Sequence, residues 1–454
     1  MTPKKIVQKF IKLEKQNKLF EMKVDNIFFY QLIRMQLYSY IVGEKKIYRN
    51  QDYSYKNILV IIFNIAKELF FWIKKKKLLD NEVCIIRHGR KLNGRDVYTY
   101  YLEKIIKKKT ILHQSLGQRN NLDKNSINYD LYTLKKKLLI FLGRSNPDKN
   151  KEVKKLIKIF KKAFSLDNNF ESKMCDYIQN QLNSYFVAKN FLKNTNFKKI
   201  IVVNSYGNLG LIYAANQLNI DTIELQHGDI HQNHLGYHFP KIKINKLKSF
   251  PKKLILFGEF WRGKANFPIK NSQIITLGSP YFDENFKKLK KLKKGKNNRV
   301  LVLSQQTIQK YLLEFIKTII SNNNNIKFTY KAHPKEDMII VKKFFTKNNL
   351  EKNVKVINGN ENIYKLFEKH AIQIGVFSQS LYEGYSCKLK TGIIKFPGWQ
   401  NMKSFLNYPN VYSIRNYIDF NNMINTPTKN YSSIFYKPNA KKNFNVFFKQ
   451  KNSF

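Results

Sequence analysis

The hydrophobic pattern of the chain divides into two regimes. Over residues 1–80 the apolar positions recur at helical spacing, through Val7, Phe10, Ile11 and Leu13 and again from 28 to 40. From residue 83 the pattern changes to short continuous apolar runs, each bounded by polar or glycine-bearing turns: 83–86, 138–142, 199–203, 222–225, 254–258, 274–278, 300–304, 326–330 and 372–377. Runs of four to six residues rich in Val, Ile and Leu are the signature of strands buried on both faces. Longer helix-periodic stretches lie between them, among them 152–164, 173–192, 210–218 and 308–320. This alternation predicts parallel sheets with crossover helices. The lysine-rich segment 240–251, with a proline at each end, predicts the boundary between two such domains. The expected organisation is therefore a helical, basic N-terminal extension (1–80), a Rossmann-like domain (81–250), a second Rossmann-like domain (251–430) and a polar, aromatic tail (431–454).

Composition adds a second constraint. The 454 residues provide enough chain for two domains of ordinary size. A hydrophobic fraction of 43% excludes a disordered chain. The formal net charge of +52 is extreme and points to anionic partners such as lipid headgroups, nucleic acid or nucleotide donors. The lysines are dispersed rather than clustered, which argues against nucleic acid. The three cysteines, Cys84, Cys175 and Cys387, form neither a metal pattern nor a disulfide framework, as expected of a protein in a reducing cytosol. The first residues lack the apolar stretch of a signal peptide. The apolar run 58–73, followed by Lys74 to Lys77, is interrupted by Asn64, Lys67 and Glu68. It is shorter than the ~20 residues a membrane span needs. It reads either as a buried helix with a cationic end or as a segment lying in the membrane interface.

Candidate chemistry gathers where the apolar runs end, which is where open α/β sheets bind ligands. Two clusters dominate the second half. After 326–330 come Lys331, Ala332, His333, Pro334, Lys335 and Glu336. The proline ends the strand and stiffens the turn, so His333 sits at the strand's lip, able to donate to a phosphate, with Lys331 beside it. After 372–377 come Ser378, Gln379 and Ser380 at the start of a helix, an arrangement suited to an anion, with Glu383 one turn in. Carboxylates such as Glu336 and Glu383 suit ribose hydroxyls. Ser304 and Gln305 end the run 300–304, where they serve either a base or phosphate or the cap of the following helix.

The first half carries its own set. Gln226, His227, Gly228 and Asp229 end the run 222–225. Arg87, His88, Gly89 and Arg90 end the run 83–86, followed by Arg95 and Asp96 in a glycine-bearing loop. Arg87, His88, Arg90 and Arg95 are candidates to hold an acceptor. His227, Asp229 and Asp96 are candidates for a general base. Arg87-His88-Gly89 also matches the opening of the histidine phosphatases, making phosphoryl chemistry at His88 the alternative enzymatic reading. His227, His231, His234 and His238 are spaced like a helical metal array, but Gly228 and Gly236 interrupt a helix there, and no metal site is expected. Nor does the chain contain an Asp-x-Asp clamp for a sugar diphosphate.

These motifs in this order resemble bacterial surface-polysaccharide glycosyltransferases of the two-domain GT-B fold, in particular the capsule and lipopolysaccharide group with sialyl- and Kdo-type transferases. The likeness rests on Gln226-His227-Gly228, Leu256-Phe257-Gly258-Glu259-Phe260-Trp261, Gly278-Ser279-Pro280, the Lys331–Glu336 motif and the 375–384 motif. It spans roughly residues 80–420. The resemblance implies two Rossmann-like domains facing a cleft, a nucleotide-sugar donor in the second and a glycan or lipid-linked acceptor in the first. It carries phosphate contacts to His333, Ser378 and Ser380, although Gln379 separates two serines that relatives often hold side by side. The acidic-acidic-Gly base motif of sialyltransferases is absent from the first domain. The expectation is a metal-independent, cytoplasmic enzyme peripheral to the anionic inner leaflet of the membrane, without a nucleic-acid partner.

Overall fold

The computed structural model describes residues 3–44, 77–92, 94–113, 126–129, 147–240, 242, 246–289 and 299–449. The apolar run 58–73 with Lys74 to Lys76 and the strand expected at 138–142 lie outside the described residues. No helix among the described residues is long and apolar enough to cross a membrane.

The chain forms two α/β units, each built on a wholly parallel sheet. The first unit runs to Phe257 and takes in Trp261–Leu277 and the chain from Lys441 on. Its strands are β1 (Val83–Ile86), β4 (Thr110–His113), β5 (Ser126–Asn128), β6 (Lys199–Val203), β7 (Asp221–Leu225), β8 (Lys253–Leu256) and β9 (Ile274–Thr276), in the order β5-β4-β1-β6-β7-β8-β9. Two further short strands, β2 (Lys91–Leu92) and β3 (Arg95–Asp96), pair as an antiparallel hairpin apart from the sheet. The second unit comprises Gly258–Phe260 and Gly278–Ala440. Its strands are β10 (Arg299–Leu303), β11 (Lys327–Lys331), β12 (Val354–Ile357), β13 (Ile372–Gly375), β14 (Lys390–Ile394) and β15 (Val411–Ile414), in the order β12-β11-β10-β13-β14-β15. Both orders are Rossmann-like. The first strand lies inside the sheet, the chain builds outward on one side, then crosses and builds outward on the other, leaving a switch point beside that strand.

The physical reason is legible in the burial of the central strands. β6, β7, β13 and β14 bury nearly every residue on both faces, which only helices on both sides of a sheet can achieve. In the second unit, Val300, Val302, Phe328, Tyr330 and Ile374 pack with Leu312, Ile316 and Ile319 of the helix Gln309–Asn322. In the first, Ile85, Ile201, Ile223 and Ile255 pack with Leu102 and with Phe444 of the helix Ala440–Lys449.

Three sequence expectations change here. Residues 3–44, the described part of the expected extension before residue 77, are not separate from the first unit. The helices Pro3–Gln16 and Phe29–Glu44 belong to the first unit, joined to it by Arg34, which is only 2% exposed. Arg34 Nε pairs with Glu14 at 2.6 Å, and its guanidinium donates to the carbonyls of Leu235 and His238. Second, the lysine-rich stretch after residue 240 is not the domain boundary. Its described residues 246–251 belong to the first unit, where Asn216 Nδ2 donates to the carbonyls of Lys248 and Phe250, and β8 and β9 extend the first sheet beyond them. The chain passes to the second unit after Leu277. A proline-flanked charged loop between two parallel strands looks like a linker because both are polar and turn-rich. Third, the C-terminal stretch is no tail. Phe435 packs against Phe260 and Tyr382 of the second unit, and the last helix returns to the first unit.

Candidate functional site

In the second unit the register brings the sequence clusters to one edge. Leu303 of β10 lies beside Lys331 of β11 on one side and Gly375 of β13 on the other. The residues that follow, Ser304-Gln305, Ala332-His333 and Val376 to Ser378, therefore emerge together at the carboxyl ends of three adjacent strands, at the switch point between β10 and β13.

The His333 turn is built on Glu336. This carboxylate, 8% exposed, accepts from the His333 backbone N–H at 2.6 Å and from the Ser304 hydroxyl at 2.6 Å. It also accepts from Tyr330 Oη at 3.2 Å. Burial raises its pKa, while those hydrogen bonds pull the other way. The sequence reading had placed Ser304 and Glu336 among the ligand contacts. Their polar atoms instead hold one another and the turn, and Tyr330 joins them at 2.6 Å from Ser304 Oγ. What they position is His333. Its Nδ1 accepts the Lys335 N–H at 3.2 Å, so the neutral ring carries its proton on Nε2. Lys331 Nζ donates to the carbonyl of Gly359. Gly359, unremarked in the sequence, is where the loop after β12 touches this turn: a Cβ there would stand 2.7 Å from the His333 carbonyl carbon.

Across β10, Ser378 caps the helix Gln379–Ser386, its hydroxyl accepting the Ser380 N–H at 3.2 Å. Gln379 is engaged structurally, donating to Tyr436 Oη at 2.7 Å. Ser380 and Glu383 are half-buried on the first turns. Gln305 brings a buried Oε1 that has no hydrogen-bond partner among the described residues. A buried, unsatisfied acceptor is costly unless something donates to it.

The first unit has its own cluster at the carboxyl ends of β1, β6 and β7. The buried side chain of Gln226 braces the turn after β7, its amide donating to Gly228 O at 2.9 Å and accepting from Phe257 N at 2.8 Å. The next residue, His227, is thereby held between two tyrosines: Nε2 is 3.0 Å from Tyr206 Oη and Nδ1 is 3.4 Å from Tyr237 Oη. Tyr98 Oη donates to the His227 carbonyl at 2.8 Å. The His88 ring lies 5.4 Å from that of His227, centroid to centroid, and edge-on to Tyr98. Burial, with smaller contributions from His88 and His234, pushes His227 down to about 3, so the ring is neutral with a lone pair to offer. Asp229, two residues on, is half-buried, and desolvation pushes its carboxyl up to about 7 against the pull of the Ile230 N–H and Lys264. Sequence reasoning named His227 and His88. It missed Tyr98, Tyr206, Tyr237 and Glu224, the last detectable only as a carboxylate inside an apolar strand run.

The other first-unit candidates divide. Asp96, 4% exposed, accepts from the backbone N–H groups of Gly89 (2.8 Å), Tyr98 (3.1 Å) and Thr99 (3.1 Å). It pins the loop that carries His88, and with three backbone donors on it the carboxylate acts as a brace rather than a base. Arg87 is held bidentately by Glu103 at 2.9 and 2.7 Å. That engages the Arg87 guanidinium with the protein's own carboxylate. Arg90 reaches Tyr98 Oη at 3.4 Å and is exposed, as is Arg95. His231, His234 and His238 each spend Nδ1 on a backbone N–H, of Asn233, Gly236 and Asn266 respectively. No group of three or more His, Cys, Asp or Glu placed to hold a metal occurs among the described residues.

No protein-family model matches this chain, and no curated protein matches its sequence. Among solved structures it is similar to the UDP-GlcNAc 2-epimerase of Methanocaldococcus jannaschii in complex with UDP-GlcNAc and UDP. That likeness has 14% identity over 81% of this chain and 99% of the other, with a TM-score of 0.48. It is similar also to Acinetobacter baumannii MurG, at 11% identity over 81% and 99% with a TM-score of 0.45. A glycosyltransferase from Rickettsia africae gives 13% identity over 82% and 100% with a TM-score of 0.44. At these scores the likenesses name no activity for this chain. Its assignment as two Rossmann-like α/β units is read from the strand orders and registers of its own sheets.

Proposed function

We propose that the chain is a glycosyltransferase of GT-B type that takes a nucleotide-sugar donor on its second unit and a hydroxyl-bearing glycan or lipid-linked acceptor on its first. One observation carries the reading. A buried Glu336–Ser304–Tyr330 brace holds His333 at the end of β11, while β13 ends in a serine-capped helix start, with β10 between them at the switch point. That edge offers a phosphate two kinds of donor: the His333 Nε2–H and the N-terminal end of the helix Gln379–Ser386. Gln305 Oε1 offers an acceptor for a hydroxyl or amino group of the nucleoside. With His333 and the helix start, negative charge developing on the departing nucleotide is met without a metal. On the first unit, neutral His227 is the base that takes the acceptor's proton, with His88, Arg90 and Arg95 at the same end of the sheet to receive it.

The finer reading is a transferase that extends a bacterial surface polysaccharide at the inner face of the membrane. The ordered motifs and the +52 charge support it. The test is a thermal-shift panel of CMP, CDP, UDP, GDP and TDP with His333→Ala in parallel. A ligand bound only by the folded protein raises its melting temperature by mass action. The expected result is a shift with one nucleotide that the variant loses. No shift with any of the five overturns the donor assignment.

A further inference from the structure

Glu224 is a fully buried carboxyl that the reading above does not use. Three groups surround it, and all are donors: the Ser205 N–H at 3.1 Å, the Ser205 hydroxyl at 2.6 Å and Tyr237 Oη at 2.7 Å. No cation accompanies them in those contacts. Three converging donors fit the ionised form, and burying an ionised carboxyl is costly. Burial accordingly raises its pKa, with the three hydrogen bonds acting against that. Ile223 and Leu225 on either side fill the core on the opposite face of the strand, so Glu224 lies on the face that meets Ser205 and Tyr237.

The chain of contacts leads from this carboxylate to the imidazole. Tyr237 has one hydroxyl proton, and it goes to Glu224. Its oxygen can then only accept, and the group 3.4 Å away is His227 Nδ1. Nδ1 must therefore carry the ring proton. The lone pair falls on Nε2, which faces the Tyr206 hydroxyl at 3.0 Å. We propose that Glu224 and Tyr237 are positioning residues for His227: through Tyr237 the carboxylate fixes the Nδ1–H tautomer, leaves the basic Nε2 facing the Tyr206 hydroxyl, and compensates the positive charge that forms when the ring takes a proton. This rests on the reading of His227 as the base. In that step the acceptor's O–H bond breaks, its proton passes to Nε2 either directly or through the Tyr206 hydroxyl, and the oxygen's freed electron pair forms the new bond to the sugar as the bond from the sugar to the donor phosphate breaks and its electron pair leaves with the nucleotide. The ring is then a cation inside a desolvated cluster of tyrosines. The buried anion two hydrogen bonds away is the group whose charge opposes it. Because the same interaction is much weaker with the neutral ring, it favours the proton-accepting step over the resting state.

The test reads the tautomer and needs no substrate. The full chain is labelled with 15N-histidine, and the ring nitrogens of His227 are assigned by comparison with His227→Gln. Two-bond correlation spectra are then recorded at about pH 7.5. The wild type is expected to show a neutral ring protonated at Nδ1. Tyr237→Phe removes one oxygen and is expected to shift the population toward Nε2–H; Glu224→Gln is expected to shift it in the same sense. A wild-type ring protonated mainly at Nε2 overturns the proposal, and so does a tautomer unchanged in Tyr237→Phe. Should Glu224→Gln fail to fold, Tyr237→Phe decides alone. Failure of the donor assignment appears separately, in the nucleotide panel with His333→Ala, and does not alter the nitrogen shifts.

Discussion

Replacing Glu336 separates two roles that the Lys331–Glu336 motif leaves open, a ligand contact and a brace. Glu336→Ala removes the acceptor of three hydrogen bonds, from the His333 N–H, the Ser304 hydroxyl and the Tyr330 hydroxyl. Hydrogen bonds to a charged group contribute roughly 1.5–3 kcal/mol each. Ser304 and Tyr330 retain each other at 2.6 Å, so about two of the three are lost without replacement. Relief of the buried charge, visible in the raised pKa of Glu336, offsets part of that loss. The net destabilisation is about 2–4 kcal/mol. For a unit of this size each kcal/mol moves the midpoint by about 2–4 °C, which predicts a fall of roughly 5–15 °C in ligand-free protein. Scanning calorimetry at about pH 8 measures it, with exposed Lys335→Ala as the control. Glu336→Gln keeps one accepting oxygen and is expected to fall between the two. A Glu336→Ala midpoint within about 1 °C of the Lys335→Ala control would refute the brace and return the carboxylate to the ligand.

Two further outcomes follow from the same geometry. Gly359→Ala places a methyl 2.7 Å from the His333 carbonyl carbon, so it is expected to cost about 1–3 kcal/mol and to weaken the nucleotide-induced thermal shift as His333→Ala does. A normal shift in that variant would mean that the position of His333 does not matter to binding. Stability should also fall as the solution is acidified from about pH 6.5 to about pH 4. Burial holds His227 and His231 at about 3, and His234 and His238 at about 4. An unfolded histidine titrates near 6.5, so across this window the unfolded chain binds more protons and gains on the folded one. Asp229, raised to about 7, acts in the opposite sense, as do Glu224 and Glu336, whose carboxyls burial also raises; His88 and His370, which burial lowers, add to the four histidines on the other side. Midpoints recorded across the range check this; a midpoint that holds or rises on acidification contradicts the burial of these rings.

The strands were readable because a strand buried on both faces must be a continuous apolar run. Every run in the second half of the chain from 254 onward became a parallel strand within a residue or two of its expected bounds. Five strands of the two sheets lay outside the predicted runs: β4 and β5, only four and three residues long, β12 and β15, which mix polar with apolar residues, and β14, buried throughout but opening on Lys390, Thr391 and Gly392. A domain boundary is a matter of which strand pairs with which, and local composition is silent on pairing. β8 and β9 therefore went to the wrong unit until their registers with β7 and with each other were known.

The site divides along the same line. That His333, Ser378, His88 and His227 stand at strand ends follows from the sequence, since polar residues after a buried run must leave the sheet. Which of the polar neighbours face outward and which hold the turn does not follow, because a carboxylate in a motif looks the same in either role. Glu336, Ser304, Asp96 and Arg87 all read as ligand or catalytic groups, and all four are spent on the protein's own donors and acceptors. The sheet determined this: it brings Ser304 from β10 to Glu336 beyond β11, and Glu224 of β7 to Ser205 beyond β6. Hydrogen-bond satisfaction of a buried group is a property of the partners that non-local pairing supplies, and those partners lie 32 and 19 residues away along the chain. The sequence determined the chemistry available at the edge of each sheet, and the tertiary structure determined which of those groups remain to do it.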